Sequence, residues 1–224
     1  MTAARRLVWL HPHWWAIVLC AGAWSWLAVR WWNSHHTHGL ALLDWMLMAA
    51  GMMLPLVFDH LRVAAARSLW PRRHRAMVAF LCGYAGVSLL VGLALSSLVT
   101  VTGIMAHGGG APWAVAAALG LAAAWQLSPL KRRALSACHR TVPLAPRGWR
   151  ADRDCVWYGW TIGRSCFVSC AGLMLACVVA GHSLPAMLAA TAVARAERVS
   201  VRADAWRTCA ALALMAGAQL AVIV

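Results

Sequence analysis

The chain has very little negative charge. Six acidic residues stand among 224, against 20 basic residues, and only 12% of all residues are charged. Hydrophobic residues make up 62% of the sequence, and this composition is far from the average of a soluble globular domain. The shortage of charge therefore excludes an ordinary soluble domain and predicts a polytopic membrane protein.

Several motifs of soluble enzymes and metalloproteins are also missing. The sequence contains no CxxC pair, no HExxH helix and no Gly-rich phosphate loop, which leaves zinc-ribbon, zincin and nucleotide-hydrolase functions without support. Lysine occurs once, as Lys131, and the arginines sit mostly in short segments between apolar runs. That distribution is typical of membrane topology rather than of nucleic-acid binding. We expect the lipid bilayer as a partner and no nucleic acid.

Apolar segments of membrane length recur along the chain. A helix needs about 20 apolar residues to cross a bilayer, and on that measure the sequence contains roughly seven segments. They lie at residues 14–32, 41–58, 77–101, 112–127, 157–180, 184–198 and 205–224. The sixth is short, so six spans plus a re-entrant segment remain an alternative. We predict an all-α fold, a transmembrane helix bundle in which residues 1–224 form a single integral membrane domain.

Arginines and cysteines predict the orientation and the redox state. Arginines cluster before the first segment and then in alternate loops, which predicts a multi-pass protein of the bacterial inner membrane with a cytoplasmic N-terminus. Arg5 and Arg6 precede an apolar stretch without a small-residue cleavage site, so a retained first span is favoured over a signal peptide. Most of the eight cysteines lie within apolar runs, and we interpret them as thiols.

Asp44 is the one acidic residue that falls inside a stretch apolar enough to cross a bilayer. An ionisable residue at membrane depth is a candidate functional residue. It either ligates a metal near the outer face or neutralises Arg30. Histidines of the predicted outer loops extend this candidate site, and three of them stand within four residues. These histidines are His35, His36, His38, His107 and His182.

Methionines continue the candidate site along the second span. Asp44, Met48 and Met52 are spaced by four residues, so their side chains lie on one helix face, about one turn apart. Pro55 follows and removes a backbone hydrogen bond, which favours a kink near the centre of the bundle.

The fifth span repeats the four-residue spacing with Cys166, Cys170 and Met174. If the two spans are antiparallel, Met48 lies level with Met174 and Met52 with Cys170. Thiolate and thioether ligands select Cu(I), whereas imidazole and carboxylate at the rim accept Cu(II) or Zn(II). The alternative is that the methionines and cysteines only fill a packed core.

Polar residues are fewer on the inner side. The string Gln126-Leu127-Ser128-Pro129-Leu130-Lys131 ends the fourth span and Cys138 follows it. We expect Arg164 of the fifth span to pair with Glu197 of the sixth.

These positions together resemble a known family. The motifs are Trp45-x-x-Met48-x-x-Gly51-Met52-Met53-Leu54-Pro55, the string at 126–131, Cys166-x-x-x-Cys170-x-x-Leu173-Met174 and a late Glu197-Arg198. In this order they resemble the bacterial family described as predicted metal-binding integral membrane proteins. The resemblance implies a helical membrane protein that binds metal, copper above other ions, and works with a small soluble partner.

The same resemblance implies a set of ligands. They are Met48, Met52, Met53, Cys166, Cys170 and Met174. The chain departs from the family pattern at Ser169, where a second adjacent cysteine is expected, and at Ala171, where a tryptophan is expected.

Two functions follow as hypotheses. The first is a copper-binding membrane protein that receives or holds metal as a chaperone, a loading subunit or a transporter, with a membrane or periplasmic protein partner. The second is a copper-dependent membrane oxidoreductase or a subunit of one, since imidazole and carboxylate ligands permit such chemistry. A third interpretation is a structural subunit of a larger complex. No residue is assigned a catalytic role.

Overall fold

The computed structural model describes residues 12–33, 42–102, 112–145, 147–180, 183–199 and 208–215. Every regular element within these ranges is a helix, which confirms the all-α prediction. The helices are α1 (Trp14–Asn33), α2 (Leu42–Ala66), α3 (Arg73–Thr102, after a 3-10 turn at Trp70–Arg72), α4 (Pro112–Leu127), α5 (Pro129–Ala137), α6 (Gly148–Val179) and α7 (Leu184–Val199). Residues 208–215 are also helical.

Three stretches of the described chain are helical, long and apolar enough to cross a membrane. They are Leu42–Ala66, Trp70–Ser97 and Gly148–Val179. A fourth candidate is the pair Trp113–Leu127 and Pro129–Ala137, which is bent by 68°. The first six predicted segments each coincide with a helix, while length and apolarity support three or four spans. The sixth segment forms one continuous helix, α7, and the bend occurs between α4 and α5 instead.

The bend follows from the sequence at Ser128 and Pro129. Ser128 is the N-cap of α5, and its side-chain oxygen accepts a hydrogen bond from the backbone N–H of Leu130 at 3.2 Å. Pro129 occupies the first helical position, where its missing N–H costs nothing. The chain therefore ends α4 and starts a new helix at once, which carries Lys131 into the protein interior.

Glycines allow α3 and α6 to form the most extensive helix pair of the bundle. A Cβ atom on Gly83 would lie 2.0 Å from the carbonyl oxygen of Val156, and one on Gly159 would lie 1.9 Å from that of Phe80. Since backbone atoms cannot yield as a flexible side chain does, only glycine fits at either position. The close crossing fixes α6 at the centre of the bundle, where α4, α5 and α7 also contact it.

Pro55 lies inside α2 and its effect is compensated by α1. Because proline has no N–H, the carbonyl of Gly51, four residues earlier, loses its usual helical donor. The indole Nε1 of Trp24 donates to that carbonyl at 3.0 Å, and the Cys20 thiol lies 3.7 Å from it. The backbone of α2 is thus satisfied at the proline by side chains of the neighbouring helix.

Candidate metal site

Helices α2 and α6 run antiparallel and touch through side chains at three points. Residue numbers rise along α2 while those of the facing residues fall along α6, which shows that the two helices are antiparallel. The facing pairs are Trp45 with Phe167 (ring centroids 6.4 Å apart), Met53 with Cys166 (3.6 Å) and His60 with Tyr158 (2.7 Å).

Sulfur atoms gather at the middle of these three contacts. The thiol of Cys166 lies 3.6 Å from the thioether sulfur of Met53. It also interacts with the Cys170 thiol, one turn along α6. The hydroxyl of Tyr84 donates to the Cys166 sulfur at 3.2 Å. Ser169 lies 3.7 Å from the Cys170 sulfur while its hydroxyl donates to the Cys166 carbonyl at 2.8 Å. We call Met53, Cys166 and Cys170 the sulfur cluster.

All eight cysteines of the chain are free thiols, as predicted, and all three members of the sulfur cluster are buried. Cys166 has no exposed surface, and Met53 and Cys170 are 3% and 5% exposed.

A third thiol reaches the sulfur cluster from a different element. Cys138 follows α5, is 1% exposed and interacts with Ser169, Cys166 and Cys170. Burial raises the pKa of the Cys138 thiol above that of an ordinary cysteine. A thiol must lose its proton before it ligates a metal.

The guanidinium group of Arg198 lies beside these thiols. Its Nη1 atom donates to the carbonyl of Leu56 in α2, whereas its Nη2 atom is buried and has no hydrogen-bond partner among the described residues. The same group interacts electrostatically with Cys166, Cys138 and Tyr84. A cation next to a thiol favours the thiolate, the form that binds metal.

The neighbouring Glu197 is neutralised by Lys131. Both side chains are buried, and the lysine nitrogen lies 2.7 Å and 2.8 Å from the two carboxylate oxygens. The same lysine donates to the side-chain oxygen of Gln126. The prediction that Arg164 pairs with Glu197 is wrong, because Arg164 lies on the exposed face of α6 and the capped start of α5 turns Lys131 inward.

At the start of α2, Asp44 forms an ion pair with Arg30. Of the two roles open to it from the sequence, the structure shows this one. The carboxylate side chain is 15% exposed and the arginine side chain 36% exposed. The two opposite charges therefore neutralise each other.

Met48, Met52 and Met174 are all buried in the core, so the four-residue spacing does place the methionines of α2 inward. The sulfur contact to Cys166, however, is made by Met53. This register is about one turn away from the one that sets Met52 level with Cys170. The five outer histidines, His35, His36, His38, His107 and His182, lie outside the described residues.

Soft ligands dominate this arrangement. Within the described ranges, no three His, Cys, Asp or Glu side chains are close enough to hold a metal ion, but the sulfur cluster combines two thiols with a thioether. That set suits Cu(I) and does not suit hard ions such as Mg²⁺. The Tyr84 hydroxyl and the Arg198 guanidinium are outer groups that stabilise charge on the sulfurs.

Two residues that contact the sulfur cluster were not predicted from the sequence to be part of the site. Arg198 was noted only as part of a motif, and Tyr84 was not considered. Both carried a signal, since an arginine or one of only two tyrosines inside an apolar helix needs a polar partner. In the sequence Cys138 was noted only as the cysteine that follows the 126–131 string. Its position against α6 depends on the bend at Ser128, which the sequence reasoning did not predict.

Comparison with known families agrees with this chemistry. A sequence model of the PpoB2 family, described as copper chaperone, matches residues 42–221. The match includes every residue of the sulfur cluster and its polar neighbours. The chain matches no curated protein and no solved structure. Since the family model covers most of its length, the chain belongs to the PpoB2 family of copper chaperones.

Proposed function

We propose that this protein is a chaperone embedded in the bacterial inner membrane that holds Cu(I) at the sulfur cluster. The observation that carries the proposal is the 3.6 Å contact between the sulfurs of Met53 and Cys166, with the buried Cys170 thiol one turn further along α6 interacting with Cys166. Two thiols and a thioether from two helices converge on one buried point. Such a donor set selects Cu(I).

Charge balance supports the same placement. Cu(I) bound by two thiolates carries one net negative charge, and Arg198 next to Cys166 supplies one positive charge. The buried Lys131 and Glu197 cancel each other, so the loaded site is neutral. This matters because an unpaired charge in an apolar interior costs several kcal/mol, roughly.

In this proposal, copper enters from the outer side of the membrane, and the N-terminus lies on the cytoplasmic side. The outer histidines and the region of Asp44 receive the ion, and Met48 and Met52 lie between that end of α2 and Met53. A membrane or periplasmic protein exchanges copper with the outer rim. Cargo passes from nitrogen and oxygen ligands to progressively softer sulfur ligands.

Copper binding by the purified full-length chain tests this placement. The protein in lipid nanodiscs is loaded with Cu(I), and bound copper is measured by elemental analysis and by competition with a Cu(I)-specific chelator. The variants Cys166→Ser, Cys170→Ser and Met53→Leu should weaken Cu(I) binding by more than roughly tenfold, the lower range seen even for outer groups of a metal site.

Matched controls use other buried sulfurs of the same bundle. Cys177 on α6 and Met187 on α7 are 2% and 0% exposed, and Cys177→Ser and Met187→Leu should retain copper. Full binding by Cys166→Ser and Cys170→Ser would refute the placement, as would loss of copper only in Asp44→Asn and Met48→Leu. A Cu(II) spectrum that responds to an oxidisable substrate would instead favour the oxidoreductase.

A further inference from the structure

A cavity lies outside the sulfur cluster, between α5 and the exposed side of α6. Its volume is about 380 Å³, within the rough range of 300–1,000 Å³ typical of ligand clefts. Six of the residues that line it are Leu130, Arg133, Thr161, Arg164, Ser165 and Val168. Arg133 and Arg164 are both exposed, whereas Cys166 next along α6 is fully buried. The cavity and the copper site therefore occupy opposite faces of the same helix.

Among the described residues, no carboxylate pairs with either of the two arginines of this cavity. Each acidic side chain in the described part of the chain pairs with another basic residue. The pairs are Asp44 with Arg30, Asp59 with Arg195, Asp152 with Arg72 and Arg75, Asp154 with Arg153, and Glu197 with Lys131. With 20 basic and six acidic residues, the chain is short of anions. Arg133 and Arg164 thus offer two positive charges to an anion from outside the protein.

The hydroxyl groups of the cavity do not compete for the role of donor. Thr161 donates to the carbonyl of Trp157 at 2.9 Å, and Ser165 donates to that of Thr161 at 3.1 Å. Recognition of an anion therefore falls to the guanidinium groups, whose planar fork matches phosphate oxygens. Leu130 and Val168 add an apolar wall to the same cavity.

We infer that Arg133 and Arg164 bind the phosphate of an anionic phospholipid, with its acyl chains along the apolar wall. The inference rests on the membrane embedding in the proposed function and is independent of copper. Arg164 stands on the exposed side of a helix that is apolar enough to cross a membrane, where a guanidinium needs a headgroup or water. The positive-inside pattern places this cavity at the cytoplasmic leaflet, and basic pockets between helices on that side bind anionic lipid headgroups.

Native mass spectrometry of the full-length protein in detergent tests the inference with phosphatidylglycerol and phosphatidylcholine in competition. The wild type should retain phosphatidylglycerol preferentially. Each arginine near an anionic headgroup contributes a factor of roughly five, so Arg133→Gln/Arg164→Gln should reduce the preference about 25-fold. Arg132→Gln is the matched control, because this exposed arginine is on the same short helix but does not line the cavity. It should keep the preference.

Three outcomes would overturn the lipid site: an unchanged preference in the double variant, an equal loss in Arg132→Gln, or displacement of the lipid by equimolar glycerol phosphate or inorganic phosphate. The last result would identify a soluble phosphate as the ligand. Vesicle flotation and copper content are measured on the same samples. A chain that inserts and binds copper without the arginine-dependent lipid preference refutes only this inference, whereas failure to insert refutes the proposed function as well.

Discussion

Two groups of charges, one at the start of α2 and one beside its middle, differ in how they are balanced. Near its start, Asp44 pairs with Arg30, one acid with one base. Beyond its centre, Glu197 pairs with Lys131 and leaves the adjacent Arg198 facing thiols rather than a carboxylate. The first group is neutral as it stands, while the second carries one positive charge.

This difference decides where Cu(I) fits. At the Asp44 pair, a monovalent cation would add uncompensated charge unless it displaced Arg30. At the sulfur cluster, Cu(I) replaces the thiol protons of Cys166 and Cys170, and the two thiolates cancel the charge of the metal and of Arg198. Of these two places, only the sulfur cluster combines charge neutrality with soft ligands. The acid that is most conspicuous in the sequence is balanced by a base, and the site forms elsewhere.

The largest effect is expected from Glu197→Gln. The change leaves Lys131 buried without a countercharge, which costs about 3–5 kcal/mol of folding free energy. Thermal unfolding of the detergent-solubilised protein measures it. The double variant Lys131→Met/Glu197→Leu removes both charges and should recover most of the stability. A Glu197→Gln protein as stable as wild type would contradict the buried ion pair.

Arg198→Gln should weaken Cu(I) binding next most strongly. Loss of an outer group of a metal site typically reduces affinity by roughly 10–100-fold. Removal of the cation also disfavours the thiolates, so the binding curve should move to higher pH, a shift that a purely structural role would not produce. Arg198→Lys should restore part of the affinity.

Arg195→Gln serves as the matched control for Arg198, because Arg195 donates at 3.1 Å to the adjacent carbonyl, that of Pro55, from an exposed position. It should leave both affinity and pH profile unchanged. Equal effects of the two variants would show that Arg198 acts through the backbone of α2 and not through the sulfur cluster.

Ser169→Cys should strengthen Cu(I) binding. The Ser169 side chain already lies 3.7 Å from the Cys170 sulfur and interacts with Cys138, so a thiol there adds a fourth soft donor to the sulfur cluster. Chelator competition measures the gain, and Ser165→Cys, on the cavity side of α6, provides the control. Equal affinity of Ser169→Cys and wild type would argue against a copper site at this level of α6.

Asp44→Asn should have the smallest effect. The Arg30 side chain is 36% exposed, and its long stem can carry the charge to water or headgroups. Exposed pairs contribute at most about 1 kcal/mol, so the unfolding temperature should fall slightly and copper stoichiometry should not change. Loss of stoichiometric copper in this variant would move the site to the outer end and reverse the comparison.

Much of the fold was predictable because its signals are local. Apolar runs predicted six of the described helices, and the four-residue spacing correctly indicated that Met48 and Met52 face inward. The Gln126–Lys131 string was recognised as a motif without a structural meaning. Its meaning is the sharp bend that Ser128 and Pro129 cause locally. Which side of α5 then packs on α6 is decided by the tertiary structure. The predicted partner of Glu197, Arg164, was wrong for the same reason.

Composition by itself determined the class of this protein, because a chain so poor in acids and so rich in apolar residues forms helices suited to a bilayer. It also determined which soft ligands were available. Only the tertiary structure decided which of them meet, since the glycine-mediated crossing of α3 and α6 and the register of α2 against α6 bring Met53, rather than Met52, to Cys166. Side-chain spacing sets a helix face, whereas the level at which two helices meet is set by their packing.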